Sequence, residues 1–132
     1  MSIKPKKYIP RSRSAPGRKY DGRKAITDLY NSDWEKYRKR YLEENPRCYA
    51  CGGKATEVDH VVPHKGDKAL FEKLDNHIPL CESHHSIVTG KFDRWHGLKS
   101  GQELTNKKIL FLNGLRSQNN LSFRVKVLPY YK

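Results

Sequence analysis

The chain has 132 residues, and with 36% hydrophobic and 31% charged residues it predicts a single domain whose small core needs a further stabilising element. The net charge of +13 favours a polyanionic partner such as nucleic acid over a merely soluble basic surface. No apolar run approaches the roughly 18–20 residues that span a bilayer, so we expect neither a secretory signal nor membrane association. The odd count of 3 cysteines favours metal-bound thiolates in a reducing compartment over a disulfide framework.

Residues 1–24 are predicted to form a flexible basic arm. This stretch holds nine Lys or Arg residues and one acid, Asp21, with scattered Pro, Gly and Ser and no periodicity. We interpret the arm as a tail that grips phosphates, and an idle solvated terminus is the alternative. The remaining residues, 25–132, are expected to form one domain.

The first periodic pattern begins at Ser32. Residues 32–35 predict a capping box that opens a helix, and Asn45-Pro46 predicts its end. The large apolar residues of this helix fall on one side, which we interpret as core rather than as a base-stacking surface: Trp34, Tyr37, Tyr41 and Leu42.

Shorter elements are predicted further along the chain. We expect strands at 58–62 and 78–81, a helix at 82–93, and a short helix capped by Asp67 that carries Ala69, Leu70, Phe71 and Leu74. Near the C-terminus, residues 107–116 predict a helix with Ile109, Leu112 and Leu115 at helical intervals. Alternation from 123 to 127 predicts a half-buried strand that ends before Pro129.

Two short motifs have metal-ligand spacing. Cys48 and Cys51 form a Cys-x2-Cys knuckle, Cys81 and His84 form a Cys-x2-His knuckle, and 29 residues separate the two. Together they can supply four ligands to a tetrahedral zinc ion, whose binding would compensate for the small core. Gly52-Gly53 favours a tight turn after the first knuckle. A redox-active Cys48–Cys51 disulfide is the alternative, but it leaves Cys81 and His84 without a role.

A second group of residues suits phosphodiester hydrolysis: Asp59, His60, Asn76 and His85. A neutral imidazole can accept a proton from water near pH 7, and a carboxylate with an imidazole can hold a divalent cation that neutralises the phosphate. Because adjacent strand residues point to opposite sides, Asp59 and His60 are poorly placed to hold one ion together, and one can ligate while the other acts as base. His84 and His85 diverge by about 100° on a helix and can face two different ions.

Three segments resemble the HNH, or ββα-metal, endonuclease family, and more narrowly the small zinc-containing HNH proteins of phages and prophages. They are Asp59-His60-Val61-Val62-Pro63, Asp75-Asn76 and Cys81-Glu82-Ser83-His84-His85. The similarity covers about half of the chain, with a core motif at 46–93. It implies a small ββα-metal (His-Me finger) domain around a structural zinc. Together with the N-terminal helix and the C-terminal helix plus strand predicted from periodicity, the fold class is α+β. A cytoplasmic location in a bacterial or phage-infected cell is also implied.

The resemblance also implies a role for each site residue. His60 would be the general base, Asp59 and His85 would bind a catalytic Mg²⁺ or another divalent cation such as Mn²⁺, and Asn76 would either ligate that cation or fix the loop that presents His60. The structural Zn²⁺ ligands would be Cys48, Cys51, Cys81 and His84. From their positions in the sequence, rather than from the resemblance, we expect phosphate contacts from His64, Lys65, Lys91 and Arg94.

The chain departs from the family pattern at two places. Many relatives carry a fourth Cys where His84 stands, which leaves open an exchange of roles between His84 and His85. The relatives also have a Lys-Thr pair where this chain has Val88-Thr89, so that Lys91 or Arg94 would supply the missing phosphate contact. For His64 and His77, an ordinary hydrogen-bonding role is the alternative to a catalytic one.

Three functions are compatible with these features. The first is an endonuclease on double-stranded DNA that leaves 5′-phosphate and 3′-hydroxyl ends, and the second is a zinc-stabilised, non-catalytic nucleic-acid-binding module. The third is an RNA-directed nuclease or a translation-associated binder. The group formed by Asp59, His60, Asn76 and His85 favours the first, because a binding module does not need it. Monomer and homodimer both remain open.

Overall fold

The computed structural model describes residues 22–130, and the first 21 residues of the predicted basic arm lie outside the described range. The elements follow the order α1 (Gly22–Leu29), α2 (Ser32–Glu44), β1 (Glu57–His60), α3 (Lys68–Glu72), a 3₁₀ turn (Leu74–Asn76), β2 (His77–Leu80), α4 (Glu82–Phe92) and α5 (Leu98–Gln118). The protein is therefore a small mixed α+β structure, as predicted. None of the described helices is long and apolar enough to cross a membrane.

The sheet is a single antiparallel pair of β1 with β2. Its register places Asp59 opposite Ile78 and His60 opposite His77. Because side chains alternate along a strand, Asp59 and Ile78 share one face of the sheet, and the two histidines share the other. β1 ends before the predicted residue 62, because the side chain of Asn76 binds both the N–H and the C=O of Val62.

Each face of the sheet supports its own hydrophobic core. The first, which we call the α4–α5 core, contains Cys48, Ala50, Ile78, Leu80, Val88, Phe92 and Leu112. The second, the aromatic core, contains Trp34, Tyr37, Tyr41, Val58, Phe71 and Tyr130. Successive side chains of the four-residue strand β1 therefore point into two different environments.

Helix α2 confirms the predicted core face but not the predicted cap. Trp34, Tyr37 and Tyr41 are buried. The N-cap is Asn31 rather than Ser32, because its side-chain oxygen accepts the N–H of Trp34 while Ser32 is already helical. The helix ends at Glu44 with Asn45 as C-cap, as predicted.

The short helix α3 and helix α4 largely follow the sequence prediction. Asp67 caps α3 by accepting the N–H groups of Ala69 and Leu70. Leu74, however, was predicted to belong to this helix but lies beyond α3 in the 3₁₀ turn, where it is 40% exposed. Helix α4 spans Glu82–Phe92, close to the predicted bounds.

Helix α5 is much longer than predicted, because its polar first half hides the apolar period. Gly97, with φ 93°, directly precedes it, and at Gly101 an added Cβ would lie 2.7 Å from the ring of Trp95. The glycine thus lets the indole pack against the helix. Ile109 is 37% exposed, whereas Leu112 is 2% exposed, so Ile109 does not lie on the buried face.

The predicted strand at 123–127 is wrong. This segment is extended, but it pairs with no strand in the described part of the chain. Its backbone is held instead by the Asn45 side chain, which binds both the N–H and the C=O of Lys126. Phe123 lies between the guanidinium groups of Arg47 and Arg116. The alternation of apolar and polar residues at 123–127 therefore results from packing against the end of α2 and the first knuckle, and not from strand pairing.

Candidate metal centres

The two predicted knuckles meet in one cluster. The ligand atoms of Cys48, Cys51, Cys81 and His84 all lie within 4.8 Å of one another. Cys51 Sγ is 3.9 Å from Cys81 Sγ, and Cys48 Sγ is 4.0 Å from His84 Nδ1. Tetrahedral zinc places its sulfur and nitrogen ligands about 3.5–3.8 Å apart. This Cys3His group can therefore hold a metal ion such as zinc, as the sequence predicts.

Local backbone geometry builds both halves of the cluster. In the first knuckle the N–H of Cys48 donates to Gly53 O at 2.6 Å, and the N–H of Gly52 donates to Cys48 O at 2.8 Å. Gly52 has φ 76°, and an added Cβ would lie 2.9 Å from the Arg47 guanidinium. In the second half, Cys81 caps α4 because its sulfur accepts the N–H of His84 at 3.5 Å. The tight turn and the helix start thus bring the four ligands together.

The thiols favour a cation among them. Burial acts to raise the pKa of Cys48, but hydrogen bonds from the backbone N–H groups of Cys81, Cys51 and Ala50, together with the Cys51 side chain, lower that pKa overall. Burial raises the pKa of Cys51 to about 11, and the neighbouring thiols add to the rise. Adjacent thiolates oppose each other's ionisation, and a bound divalent cation removes this opposition.

A second pair of ligand atoms lies on the same side of the sheet. The Asp59 side chain is 4% exposed, and its Oδ1 lies 3.7 Å from His85 Nε2. Two ligands about 2.1 Å from one small cation are about 3.0 Å apart at a right angle and about 4.2 Å apart when opposite. Asp59 and His85 therefore fit a shared cation. Burial raises the pKa of Asp59, while Lys108 and His85 oppose the rise.

The adjacent histidines of α4 face different groups. His84 directs Nδ1 toward Cys81 Sγ at 3.2 Å, and His85 directs Nε2 toward Asp59. This geometry favours His84 as a ligand of the Cys3His group and His85 as the partner of Asp59. The reverse assignment, which the absence of a fourth Cys left open, fits less well. The His85 side chain is 35% exposed, so its pair with Asp59 borders the solvent.

His60 lies on the opposite face of the sheet from Asp59, in the aromatic core. The residue is 7% exposed, and its ring stacks on Trp34 and Phe71 with centroids 5.5 and 4.9 Å away. Because Phe71 O only accepts, His60 Nε2 donates to it at 3.0 Å, and Nδ1 keeps its lone pair. Burial, helped by His77 and His64, lowers the pKa of His60 to about 3, so the ring is neutral at pH 7. The structure thus does not place His60 beside the Asp59–His85 pair.

Asn76 is committed to the loop after β1. Its Oδ1 accepts the N–H of Val62 at 2.9 Å, and its Nδ2 donates to Val62 O at 2.9 Å and to Leu70 O at 3.3 Å. Of the two roles that the family resemblance allows, this geometry favours fixing the loop over ligating a cation.

His64 and His77 hold neighbouring segments together. His64 Nδ1 accepts the N–H of Gly66 at 3.0 Å, and its Nε2 lies 2.9 Å from the hydroxyl of Tyr30. His77 Nδ1 lies 2.7 Å from the hydroxyl of Tyr37, and its Nε2 donates to a backbone carbonyl at 2.7 Å. For both residues these contacts favour the hydrogen-bonding alternative.

The remaining predicted phosphate contacts are exposed: Lys65, Lys91 and Arg94. Lys65 Nζ donates to Asp93 O at 2.6 Å and lies 4.7 Å above the ring of Trp95. It also lines a groove of about 800 Å³ between the loop after β1 and helix α5. Contact of these side chains with nucleic acid stays a prediction.

Sequence reasoning missed Lys108 and Asp93. Lys108 is completely buried on α5, and its Nζ lies 2.9 Å from Asp59 Oδ2 and 3.0 Å from Asp93 Oδ1. The available signal was its position on the buried stripe of that helix, between Thr105 and Leu112. Asp93 was noted only as the end of α4. Burial raises its pKa to about 6, against the opposing effect of Lys108.

Comparisons with profiles of known protein families, with curated proteins and with solved structures found no match to this chain. The likeness to HNH nucleases therefore consists of the order and spacing of residues. What the chain does has to be inferred from the chemistry of the two groups described above.

Proposed function

We propose that this chain is a metal-dependent endonuclease that hydrolyses phosphodiester bonds in DNA. The observation that supports the proposal best is the pair of Asp59 Oδ1 and His85 Nε2, 3.7 Å apart beside the Cys3His group. A structural zinc module does not need a carboxylate–imidazole pair in addition to its four metal ligands. The order β1, β2, α4 agrees with a ββα-metal (His-Me finger) domain, in which Cys48, Cys51, Cys81 and His84 hold a structural zinc.

The proposed catalytic cation binds to Asp59 and His85. A divalent ion such as Mg²⁺ or Mn²⁺ supplies charge neutralisation at the phosphorane and at the departing 3′ oxygen. Asp59 offers Oδ1, and His85 offers Nε2 from a side chain that is 35% exposed. A phosphate can therefore approach this pair from the solvent side.

In this proposal His60 takes the proton from the attacking water. The bond from Nε2 to Phe71 O holds the tautomer in which Nδ1 is the proton acceptor. Burial lowers the pKa of His60 to about 3, which keeps the ring unprotonated at neutral pH but also makes it a weaker base than an ordinary histidine. Asn76 supports it by fixing the loop that follows the strand.

DNA is the proposed substrate because the resemblance to HNH endonucleases implies it, and the net charge of +13 is compatible with binding to any phosphate backbone. The exposed residues Lys65, Lys91 and Arg94 lie around the C-terminal end of α4 and supply phosphate contacts in this proposal. Double-stranded DNA is the form we expect.

The burial of His60 favours a second candidate function. Its ring lies between Trp34 and Phe71 and on the opposite face from Asp59. A zinc-stabilised, non-catalytic nucleic-acid-binding module would keep such a histidine as part of its core. Charge attracts a phosphate backbone in either case, so only an activity measurement separates the two.

The test is a plasmid-nicking assay with zinc-loaded protein and added Mg²⁺, Mn²⁺, Co²⁺ or Ni²⁺. Wild type should convert supercoiled plasmid to open circles, and His85→Ala and His60→Ala should each lower the rate at least 100-fold. Zinc content of about one ion per chain should be unchanged in both variants, since neither residue belongs to the Cys3His group.

A gel-shift assay on the same samples tests the second candidate. If wild type binds DNA tightly but nicks it with none of these ions, the endonuclease proposal is wrong and the binding module stands. If His85→Ala cleaves as fast as wild type, the assigned cation site is wrong.

A further inference from the structure

Lys108 is the least accessible charged residue in the described part of the chain. It is 0% exposed, whereas lysines are almost never fully buried unless they are paired. Its Nζ donates to Asp93 Oδ1 and Oδ2 at 3.0 and 3.2 Å and to His60 O at 2.8 Å. It also lies 2.9 Å from Asp59 Oδ2. No step of the proposed reaction involves this residue directly.

The two oxygens of Asp59 have different partners, Lys108 for Oδ2 and His85 for Oδ1. The Lys108 ammonium lies within 3.2 Å of both Asp93 oxygens and of the His60 carbonyl, and it also pairs with Asp59 Oδ2 at 2.9 Å. Oδ1 remains turned toward His85, at 3.7 Å. One oxygen is therefore held against a fixed internal cation while the other is left for a metal ion.

We propose that Lys108 is a positioning residue that restricts Asp59 to a single ligating oxygen. The proposal rests on the assignment of Asp59 and His85 as ligands of the catalytic cation. With one oxygen and one imidazole, that cation keeps most of its coordination positions for water and phosphate oxygens. Such a site selects small ions that accept imidazole, such as Mn²⁺, over Ca²⁺, which takes 6–8 oxygen ligands and often a bidentate carboxylate.

Removing the Lys108 ammonium should change both where the divalent ion binds and which divalent ion the site prefers. Asp59 and Asp93 both contact Lys108 Nζ, so without it two carboxylates face one space. A divalent ion can then bind between them through Asp59 Oδ2, away from His85. We therefore expect tighter metal binding and slower cleavage from the same substitution, whereas general damage to the fold would weaken both.

The experiment measures Mn²⁺ and Ca²⁺ binding by isothermal titration calorimetry on full-length, zinc-loaded protein. Wild type should bind Mn²⁺ at least ten-fold more tightly than Ca²⁺, and His85→Ala should weaken Mn²⁺ binding at least ten-fold. Lys108→Met should bind Ca²⁺ at least ten-fold more tightly than wild type, and adding His85→Ala to it should leave that affinity unchanged. Nicking by Lys108→Met should fall at least 100-fold.

Lys108→Gln is a second variant, neutral but able to bond the His60 carbonyl, and should show the same gain in Ca²⁺ binding. Wild type alone can overturn the proposal, by binding Ca²⁺ as tightly as Mn²⁺. An unchanged or weaker Ca²⁺ affinity in the folded variants overturns it as well. If wild type shows the expected binding but never nicks DNA, the endonuclease assignment fails while the role of Lys108 in shaping the site stands.

Discussion

The two faces of the β1–β2 sheet are held together by different chemistry. On one face, thiols and carboxylates converge: the Cys3His group can hold a metal ion, and the Lys108 ammonium pairs with Asp59 and Asp93. On the other face, His60 and His77 lie among aromatic rings, where burial lowers the pKa of both and favours the neutral ring, and each donates to Phe71 O. One face therefore depends on bound charge, and the other depends on apolar burial and neutral hydrogen bonds.

Loss of one thiol should have the largest effect, because it removes the cation from the first face. Cys48→Ser should reduce bound zinc from about one ion per chain to nearly none and unfold the domain. Structural zinc in small domains contributes about 10–16 kcal/mol of apparent binding free energy, far more than a core of this size can replace. Elemental analysis of zinc together with a thermal melt monitored by circular dichroism measures both effects.

The matched control for this prediction is His84→Cys. It changes a ligand without removing one, so zinc content and the cooperative melt should survive. Full zinc content and an unchanged melting temperature in Cys48→Ser would rule out a structural metal in this group. Loss of zinc in His84→Cys as well would mean that the imidazole geometry is essential.

Truncating the centre of the aromatic core should cost less and should leave the metal in place. Trp34 is 3% exposed and packs against Phe71 and Tyr37, with centroids 4.7 and 5.7 Å away. Trp34→Ala should therefore lower the free energy of unfolding by about 3–5 kcal/mol. Urea denaturation of zinc-loaded protein measures the loss. Leu110, 72% exposed, is the control, and Leu110→Ala should change stability by less than about 0.5 kcal/mol.

Zinc content distinguishes the two faces in this experiment. If the faces are independent, Trp34→Ala keeps about one zinc per chain while it loses stability. Parallel loss of zinc and stability would mean that the aromatic core and the Cys3His group form one cooperative unit, and the contrast between the faces would be wrong.

The sequence predicted best those features that depend on neighbouring residues. The knuckle spacing indicated the Cys3His group, and strand alternation indicated that Asp59 and His60 point to opposite sides, since both follow from local backbone geometry. Lys108 could not be assigned, because it joins Asp59 only when α5 packs across the sheet, 49 residues further along the chain. The extended segment at 123–127 was taken for a strand because alternation does not reveal whether a partner strand exists.

The smallest expected effect tests the neutrality of the aromatic face. The pKa of His60 is lowered to about 3 by burial, from an ordinary value near 6.5. Below pH 6.5 the unfolded chain therefore takes up a proton that folded His60 refuses, and this residue's contribution to stability, fully present above pH 6.5, is lost as the pH falls toward 3. In His60→Gln, which can still donate to Phe71 O, this loss is absent.

The stability difference between wild type and His60→Gln should thus shrink by up to about 1.4 kcal/mol from pH 7.5 to 5.5, measured by urea denaturation of zinc-loaded protein. The zinc ligands, His64 and His77 are common to both proteins, so their titration cancels in the difference. Parallel pH profiles would show that His60 titrates as in the unfolded chain, and the aromatic face would then be open to water rather than closed.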